Sequence, residues 1–313
     1  MPTVRRSMLF TPTNISRFVK GVWKHSPDMV VLDLEDSVAP SEKAAAREMV
    51  QGASQYVAGC GIEVAVRINH DSVTEDCNAA IWPQICAVVL PKVETPSQIN
   101  SLDALLTKLE GQRKMPNRSV EIMPMIETAL GVQNAYDIAN SSGRIKLFGV
   151  LGEADLTADI GASFDTLQTQ DVLAYPRGEV HLVTRALGLT FNGRAWVPGK
   201  ATIADYSDPE TLERSMKVSW EAGCRSTFCI HPRQVAAANQ HLRPTELEVN
   251  EASEMLRVYI EADLANLPYG VLKGRVINAR TAQMARETIA YAEACSTKDS
   301  EKAQRITEFE VER

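Results

Sequence analysis

The stretch Val30–Val38, VVLDLEDSV, joins a short apolar run to three carboxylates, Asp33, Glu35 and Asp36. An apolar run of four to eight residues that stops abruptly reads as a buried parallel strand. The pattern recurs in both directions from this point. MLF (8–10) precedes it. VAV (64–66) ends at Arg67, AVVLP (87–91) at Lys92, IMPMI (122–126) at Glu127 and LFGVLGEAD (147–155) at Asp155. ATIA (201–204) ends at Asp205 and STFCI (226–230) at His231. The runs number eight, with helical patterns between them, so the expected fold is α/β, a (β/α)8 TIM barrel. The strand ends of such a barrel converge on one face, and that face carries the chemistry. Here it would be lined mostly by carboxylates, with one arginine and one lysine. That combination points to a divalent cation holding an anionic substrate.

Helix signals fall between the runs. Pro40-Ser41 opens an alanine-rich stretch to residue 57, and Thr95-Pro96 is a cap followed by proline at the first helical position. Ile99, Leu102, Leu105, Leu106 and Leu109 then form one apolar stripe. Asp208-Pro209 repeats the device, Gly223 marks a stop, and Thr245 with Glu248 has capping-box spacing. Residues 156–180 are polar and read as a long loop. Residues 190–200, TFNGRAWVPGK, read as an insertion before the seventh strand. The expected division is a barrel over 1–243 and a C-terminal helical lid or oligomer arm over 244–313, folded around a turn at Pro268-Tyr269-Gly270.

The chain has 313 residues, 44% hydrophobic and 23% charged, with net charge −7. An acidic balance argues against a nucleic-acid partner bound through a basic surface. No apolar stretch reaches the roughly 20 residues of a membrane helix. The basic N-terminus lacks the apolar segment of a signal peptide. Six scattered cysteines, with Cys86 and Cys229 inside apolar runs, read as buried thiols rather than disulfides. Cys224 and Cys229 lack the second Cys/His pair of a zinc site. A cytoplasmic location is the expectation.

Glu127 and Asp155 are the metal candidates. Each follows an apolar run, on strands that would be neighbours, and two carboxylates with positions left for water and substrate suit Mg2+. Either could instead cap the following helix or pair with a base. Arg67 emerges from a strand, where a guanidinium binds a carboxylate or phosphate bidentately or forms an internal salt bridge to Asp33, Glu35 or Asp36. Within the DLED run, one carboxylate could serve as general base or behind the metal, or hydrogen-bond loop amides. Lys92 reads as a charge-balancing group, since acidic neighbours oppose the lowered pKa of a Schiff-base lysine. His231 is the one histidine at a strand end and reads as a structural hydrogen-bonder. No HExxH, GxGxxG or P-loop pattern occurs.

The strings RRSMLFTPTN (5–14), VVLDLEDSV, VAVRIN (64–69), VVLPKVE (88–94), PMIETALG (124–131), YSDPE (206–210) and IHPRQV (230–235) occur in this order. Together they resemble the citrate lyase β-subunit-like proteins, which include malyl-CoA and citramalyl-CoA lyases and share a superfamily with the class II 2-keto acid aldolases. The resemblance runs from about residue 5 to 245. It implies a (β/α)8 barrel, Mg2+, a homotrimer, and reversible carbon–carbon cleavage of a CoA thioester through an enolate. It further implies Glu127 and Asp155 as metal ligands, Arg67 on the substrate's carboxylate or carbonyl oxygen, Glu35 and Asp36 behind them, and Phe10 near the CoA moiety. Lys92 completes the substrate-binding set. Two departures stand out. The family's G-A-E-D reads Gly152-Glu153-Ala154-Asp155 here, which leans toward the aldolases. Lys273 occupies the place of an aspartate that reaches a neighbouring subunit in CoA-ester lyases. An aldolase acting on a free 2-keto acid, a keto-acid-binding paralogue without turnover, and a citrate lyase β chain working with an acyl-carrier partner are the alternatives.

Overall fold

A computed structural model describes residues 3–199 and 202–311, with backbone alone at 150, 202–204 and 310. The chain divides into two compact units. The larger holds Arg5–Leu242 and the chain from Arg305 onward. The smaller holds Arg243–Gln304 with the N-terminal residues up to Val4.

The larger unit is an α/β fold built on a curled parallel sheet. Its strands are β1 (Ser7–Pro12), β2 (Met29–Asp33), β3 (Glu63–Arg67), β4 (Ile85–Leu90), β5 (Glu121–Ile126), β6 (Leu147–Phe148), β7 (Val150–Leu151), β8 (Thr190–Phe191) and β9 (Thr227–Cys229). Seven of them pair in the order β7-β5-β4-β3-β2-β1-β9, and β6 pairs with β8. Every one of these pairings is parallel. A single parallel bridge, Asn192 to Ser226, lies beyond β8.

Side-chain alternation sorts the strands into two layers. Met8, Met29, Val31, Ala65, Val89, Met123, Met125 and Leu147 fill the inside of the curl. Val30, Leu32, Val64, Val66, Val88, Ile122 and Phe148 face outward into the layer under the helices. One end of the inner layer is closed by Arg5, which pairs with Glu63 at 3.2 Å and Glu121 at 2.7 Å. Each fully buried Leu or Ile of the outer layer contributes roughly 1.5–3 kcal/mol. The stripe on helix Pro96–Gln112 buries Ile99, Leu102, Leu106 and Leu109 there, and Thr95 and Gln98 form its capping box. Asp208 caps helix Pro209–Glu221, and Thr245 with Glu248 boxes the start of helix Glu246–Leu264. All six cysteines are free thiols, five of them buried.

The seventh strand is not ATIA. Ala201 lies outside the described residues, and Thr202–Ser207 form a 3-10 helix. The strand pairing with β6 is Thr190–Phe191, inside the segment read as an insertion. Two residues are too few to leave a period-2 pattern; their identity as a strand lies in the hydrogen bonds Thr190 N to Lys146 O (3.0 Å) and Asn192 N to Phe148 O (2.8 Å). Residues 156–180 are also largely helical, covered by Glu153–Asp159, the 3-10 helix Phe164–Gln168 and the start of Ala174–Ala186. Their polarity reflects short helices exposed on one side.

The smaller unit contains helix Glu246–Leu264, the antiparallel hairpin β10 (Tyr269–Leu272) and β11 (Arg275–Asn278), and most of helix Ala279–Val311. Pro268-Tyr269-Gly270 therefore leads into a strand. The turn is Lys273-Gly274, both with positive φ (49° and 80°), which matches the twist of a tight hairpin. Lys273 pairs with Glu254 at 3.1 Å and Arg275 with Glu251 at 3.2 Å. Among the described residues no helix is long and apolar enough to cross a membrane.

Candidate active site

The C-terminal ends of the parallel strands surround a cavity of about 440 Å3. One wall comes from β1–β5. Arg67, the last residue of β3, is in register with Asp33, the last of β2. That register makes a bidentate pair, Nε to Oδ1 at 2.7 Å and Nη2 to Oδ2 at 2.6 Å. Nη1 lies 2.8 Å from Glu35 Oε2 and 3.3 Å from Asp36 Oδ2. The guanidinium carbon sits 4.5 Å from the centre of the Phe10 ring, which tilts against Phe228. The internal salt bridge weighed for Arg67 is thus present with all three carboxylates at once.

These three acids are not equivalent. Burial opposes ionisation of Asp33, but the hydrogen bonds and charge of Arg67, with Ser37 and the Glu35 amide, outweigh it and hold the carboxyl below its usual range. Asp33 also caps the loop, accepting from Glu35 N at 3.0 Å and Ser37 N at 3.1 Å. Burial pushes Glu35 up to about 7, helped by the charges of Asp36 and Glu127 and opposed by Arg67 and Lys92. Asp36 is exposed and lines the cavity. Glu35 and Lys92 do not line it. Lys92 Nζ lies 3.8 Å from Glu35 Oε1, at the margin of an ion pair. Lys43 braces the loop from behind, donating to the carbonyls of Leu34 (3.3 Å) and Glu35 (3.2 Å).

Glu127 follows β5 and is only 3% exposed. Its Oε2 accepts the Lys92 amide at 2.9 Å, and no basic side chain among the described residues forms an ion pair with it. Burial pushes its pKa up to about 7, and the charge of Asp155 adds to the rise against the Lys92 amide, Arg67 and the Lys92 charge. Asp155, exposed, lines the same cavity from the first turn of helix Glu153–Asp159. Gly152 makes the approach possible: a Cβ there would stand 2.2 Å from Glu127 Oε1. No group of three or more His, Cys, Asp or Glu placed to hold a metal occurs among the described residues.

The opposite wall was not legible. It comes from helix Ala174–Ala186, the segment after β8, β9 itself and the helix after it: Arg177, Asn192, Arg194, Thr227 and Gln234. Arg194 pairs with buried Asp205 and donates to Thr227 Oγ1 at 3.1 Å. Gln234 donates to the other oxygen of Asp205 at 2.8 Å. Arg177 holds Asp171 at 2.7 Å and Glu153 at 3.4 Å. Asp205, read from the sequence as a strand end, stands behind this wall in the 3-10 helix Thr202–Ser207 and anchors Arg194. His231 caps helix Pro232–His241 through Nδ1 and stacks on Tyr206.

The model of the HpcH/HpaI aldolase/citrate lyase family matches residues 6–232. The chain belongs to this family. Members of the HpcH/HpaI aldolase/citrate lyase family are carbon–carbon lyases, and the chain is an enzyme of that class. It is 30% identical to the citrate lyase subunit beta of Leuconostoc mesenteroides subsp. cremoris, over 95% of this chain and 96% of that one. It is 27% identical to the L-malyl-CoA/beta-methylmalyl-CoA lyase of Rhodobacter capsulatus, over 93% and 95%. Its fold resembles that of Mycobacterium tuberculosis CitE crystallised with magnesium, acetoacetate and coenzyme A: TM-score 0.68, 23% identity, 92% of this chain and 97% of that one. A citrate lyase from Burkholderia xenovorans LB400 aligns at TM-score 0.73 and 18% identity, over 94% and 93%.

Proposed function

We propose that this lyase is Mg2+-dependent and cleaves, or forms, a 3-hydroxy-dicarboxylyl-CoA thioester such as citramalyl-CoA or malyl-CoA. The observation that carries the reading is Glu127, a buried carboxylate with no ion-pair partner among the described residues, beside a second carboxylate on the cavity wall. A buried acid under like-charge pressure stays protonated or takes a cation. Two oxygen donors with no protein cage around them fit a hard ion whose coordination is completed by water and substrate. Glu127 and Asp155 would hold Mg2+, which supplies a Lewis acid for the oxygens of a hydroxy or keto acid.

The chain's own groups do the rest. Arg67 has five N–H donors, and those not spent on its carboxylates offset negative charge building on the substrate. Asp33 fixes its plane, and Phe10 covers one face. Asp36, on the cavity wall, takes the hydroxyl proton. The carbon–carbon bond then breaks, its electron pair passing to the thioester as an enolate and the hydroxyl carbon becoming the keto carbon of a 2-keto acid. Glu35, held near neutrality behind Arg67, sets the local charge, as Lys92 does beside it. This placement treats β1–β5, β6 with β7, β8 and β9 as the eight staves of a (β/α)8 barrel. The segment 244–313 serves as lid or oligomer arm of a homotrimer.

The test is direct. Purified protein with Mg2+ and malyl-CoA or citramalyl-CoA should release glyoxylate or pyruvate, and chelation should stop it. No product from either thioester sinks the substrate claim. A second reading, an aldolase acting on a free 2-keto acid, is favoured by the Gly152-Glu153-Ala154-Asp155 string in place of the family's G-A-E-D; it requires turnover without any CoA ester.

A further inference from the structure

The string VAVRIN ends at Asn69, two residues beyond Arg67, and Asn69 plays no part in the proposed chemistry. It is 4% exposed and lies outside the cavity lining. Its place at the edge of the ladder gives it another task. β2 and β3 pair with Asp33 opposite Arg67, and the ladder continues one step further, Leu34 N donating to Arg67 O at 3.0 Å. The next rung of a parallel ladder would run from Asn69 N to Leu34 O. Asn69 N instead donates to Oδ2 of the fully buried Asp76 at 2.7 Å. The side chain takes over the rung: Nδ2 reaches Leu34 O at 2.8 Å and Asp76 Oδ2 at 2.7 Å. Oδ1 accepts from Lys43 Nζ, which also donates to the carbonyls of Leu34 and Glu35. Arg47, four residues on from Lys43 in helix Lys43–Gly59, holds the other oxygen of Asp76 at 2.5 Å. Both donor hydrogens and the carbonyl of the Asn69 amide are thus engaged.

The arrangement lets β3 turn away while keeping hold of the chain that leaves β2. What it holds is the loop that carries Glu35 and Asp36. On the cavity side Asp33 fixes the same loop, accepting from Glu35 N and Ser37 N, but Asp33 also sets the plane of Arg67. Asn69 and Lys43 bond to the loop's backbone from behind, without touching Arg67. We propose that Asn69 and Lys43 are positioning residues for proton transfer: they set the height of the Leu34–Asp36 backbone, and with it the reach of the Asp36 carboxyl to the substrate hydroxyl. The assignment rests on the lyase reading, in which Asp36 takes that proton. A carboxyl displaced by about 1 Å slows proton transfer but leaves the bound ground state intact, so the loss falls on kcat and not on KM.

Steady-state kinetics with Mg2+ and malyl-CoA or citramalyl-CoA tests it. Asn69→Asp keeps the shape and the acceptor for Lys43 but sets an oxygen against Leu34 O. Its kcat should fall by about 10- to 100-fold, with KM within about twofold of wild type. Lys43→Met changes a half-buried position and should lose about tenfold in kcat with little change in Tm. Lys43→Arg, which keeps donors there, should recover most of that loss. Calorimetry should give wild-type Mg2+ affinity in all three, since Glu127 and Asp155 lie on other elements. If Asn69→Asp does not fold, the two Lys43 variants decide. Wild-type kcat in Lys43→Met, no recovery in Lys43→Arg, or a loss of kcat matched by a loss of Mg2+ affinity overturns the positioning role and leaves the lyase reading in place. No turnover of either thioester by the wild type overturns both.

Discussion

The two walls of the cavity are built from different material. β1–β5 have five or six residues each and pair in parallel with a single register shift, between Val64 and Ala65 against β4, and the last residues of β2 and β3 deliver Asp33 and Arg67 as a bidentate pair, with Glu127 directly after β5. β6–β9 have two or three residues each and are interrupted at Gly149. Their wall is held by side chains instead: Arg194 to Asp205 and Thr227, Gln234 to Asp205, Arg177 to Asp171 and Glu153. A long strand fixes a side chain through backbone hydrogen bonds that any sequence can make. A short one must hold its side chains with particular partners. The first wall therefore tolerates substitution in its strands but not at its tips. The second depends on the network.

The largest expected effect is at a tip. Glu127→Gln keeps the shape and the Lys92 amide contact but removes the charge. Mg2+ affinity and turnover should fall together by more than about 100-fold, beyond what loss of a group merely supporting a metal ligand costs. Calorimetric Mg2+ titration and initial rates measure both; unchanged Mg2+ affinity would remove Glu127 from the metal site.

Gly152→Ala comes next. Its backbone φ is an ordinary −74°, so the substitution adds no backbone strain, only a Cβ 2.2 Å from Glu127 Oε1. Displacing that carboxyl by about 1 Å should cost about 10- to 100-fold in kcat/KM with little change in Tm. A normal rate would show that the carboxyl has room to move.

Gly149→Ala probes the second wall. It meets the Phe191 ring at 2.5 Å with a φ of 113° that side chains rarely adopt. Overpacking and strain should together cost about 2–4 kcal/mol of stability, read from urea denaturation. A loss below about 1 kcal/mol would mean the seam between β6 and β8 is loose.

The smallest effect is with pH. Glu35 and Glu127, both near 7 when folded against 4.5 ordinarily, keep protons that the unfolded chain has released. The folded state binds more protons across that window. Their contribution is complete below about 4.5 and lost as pH rises through about 7. In chelator, Tm should fall across this range, less so in Glu127→Gln, and added Mg2+ should flatten the fall above neutrality. A Tm that rises with pH from 5 to 7 in chelator would contradict the raised values.

The apolar runs alone located seven of the parallel stretches that make up the curled sheet, and with them Asp33, Arg67, Lys92 and Glu127. Buried parallel strands must be apolar on both faces, so their ends show as abrupt changes of polarity. Helix caps were readable for the same local reason: Thr95 with Gln98 and Thr245 with Glu248 satisfy amides within four residues of themselves. Thr190–Phe191 was out of reach, since its strand character exists in hydrogen bonds to residues more than thirty positions away, Lys146 on one side and Arg225 on the other. So was the second wall. Arg194 lies in a stretch that resembles a loop, and its meaning comes from Asp205 and Thr227, which tertiary folding brings to it. The same holds for Glu35. Sequence placed it among the acids, but only the packed structure buries it behind Arg67 and lifts its carboxyl towards neutrality, because desolvation is a property of the fold and not of the residue.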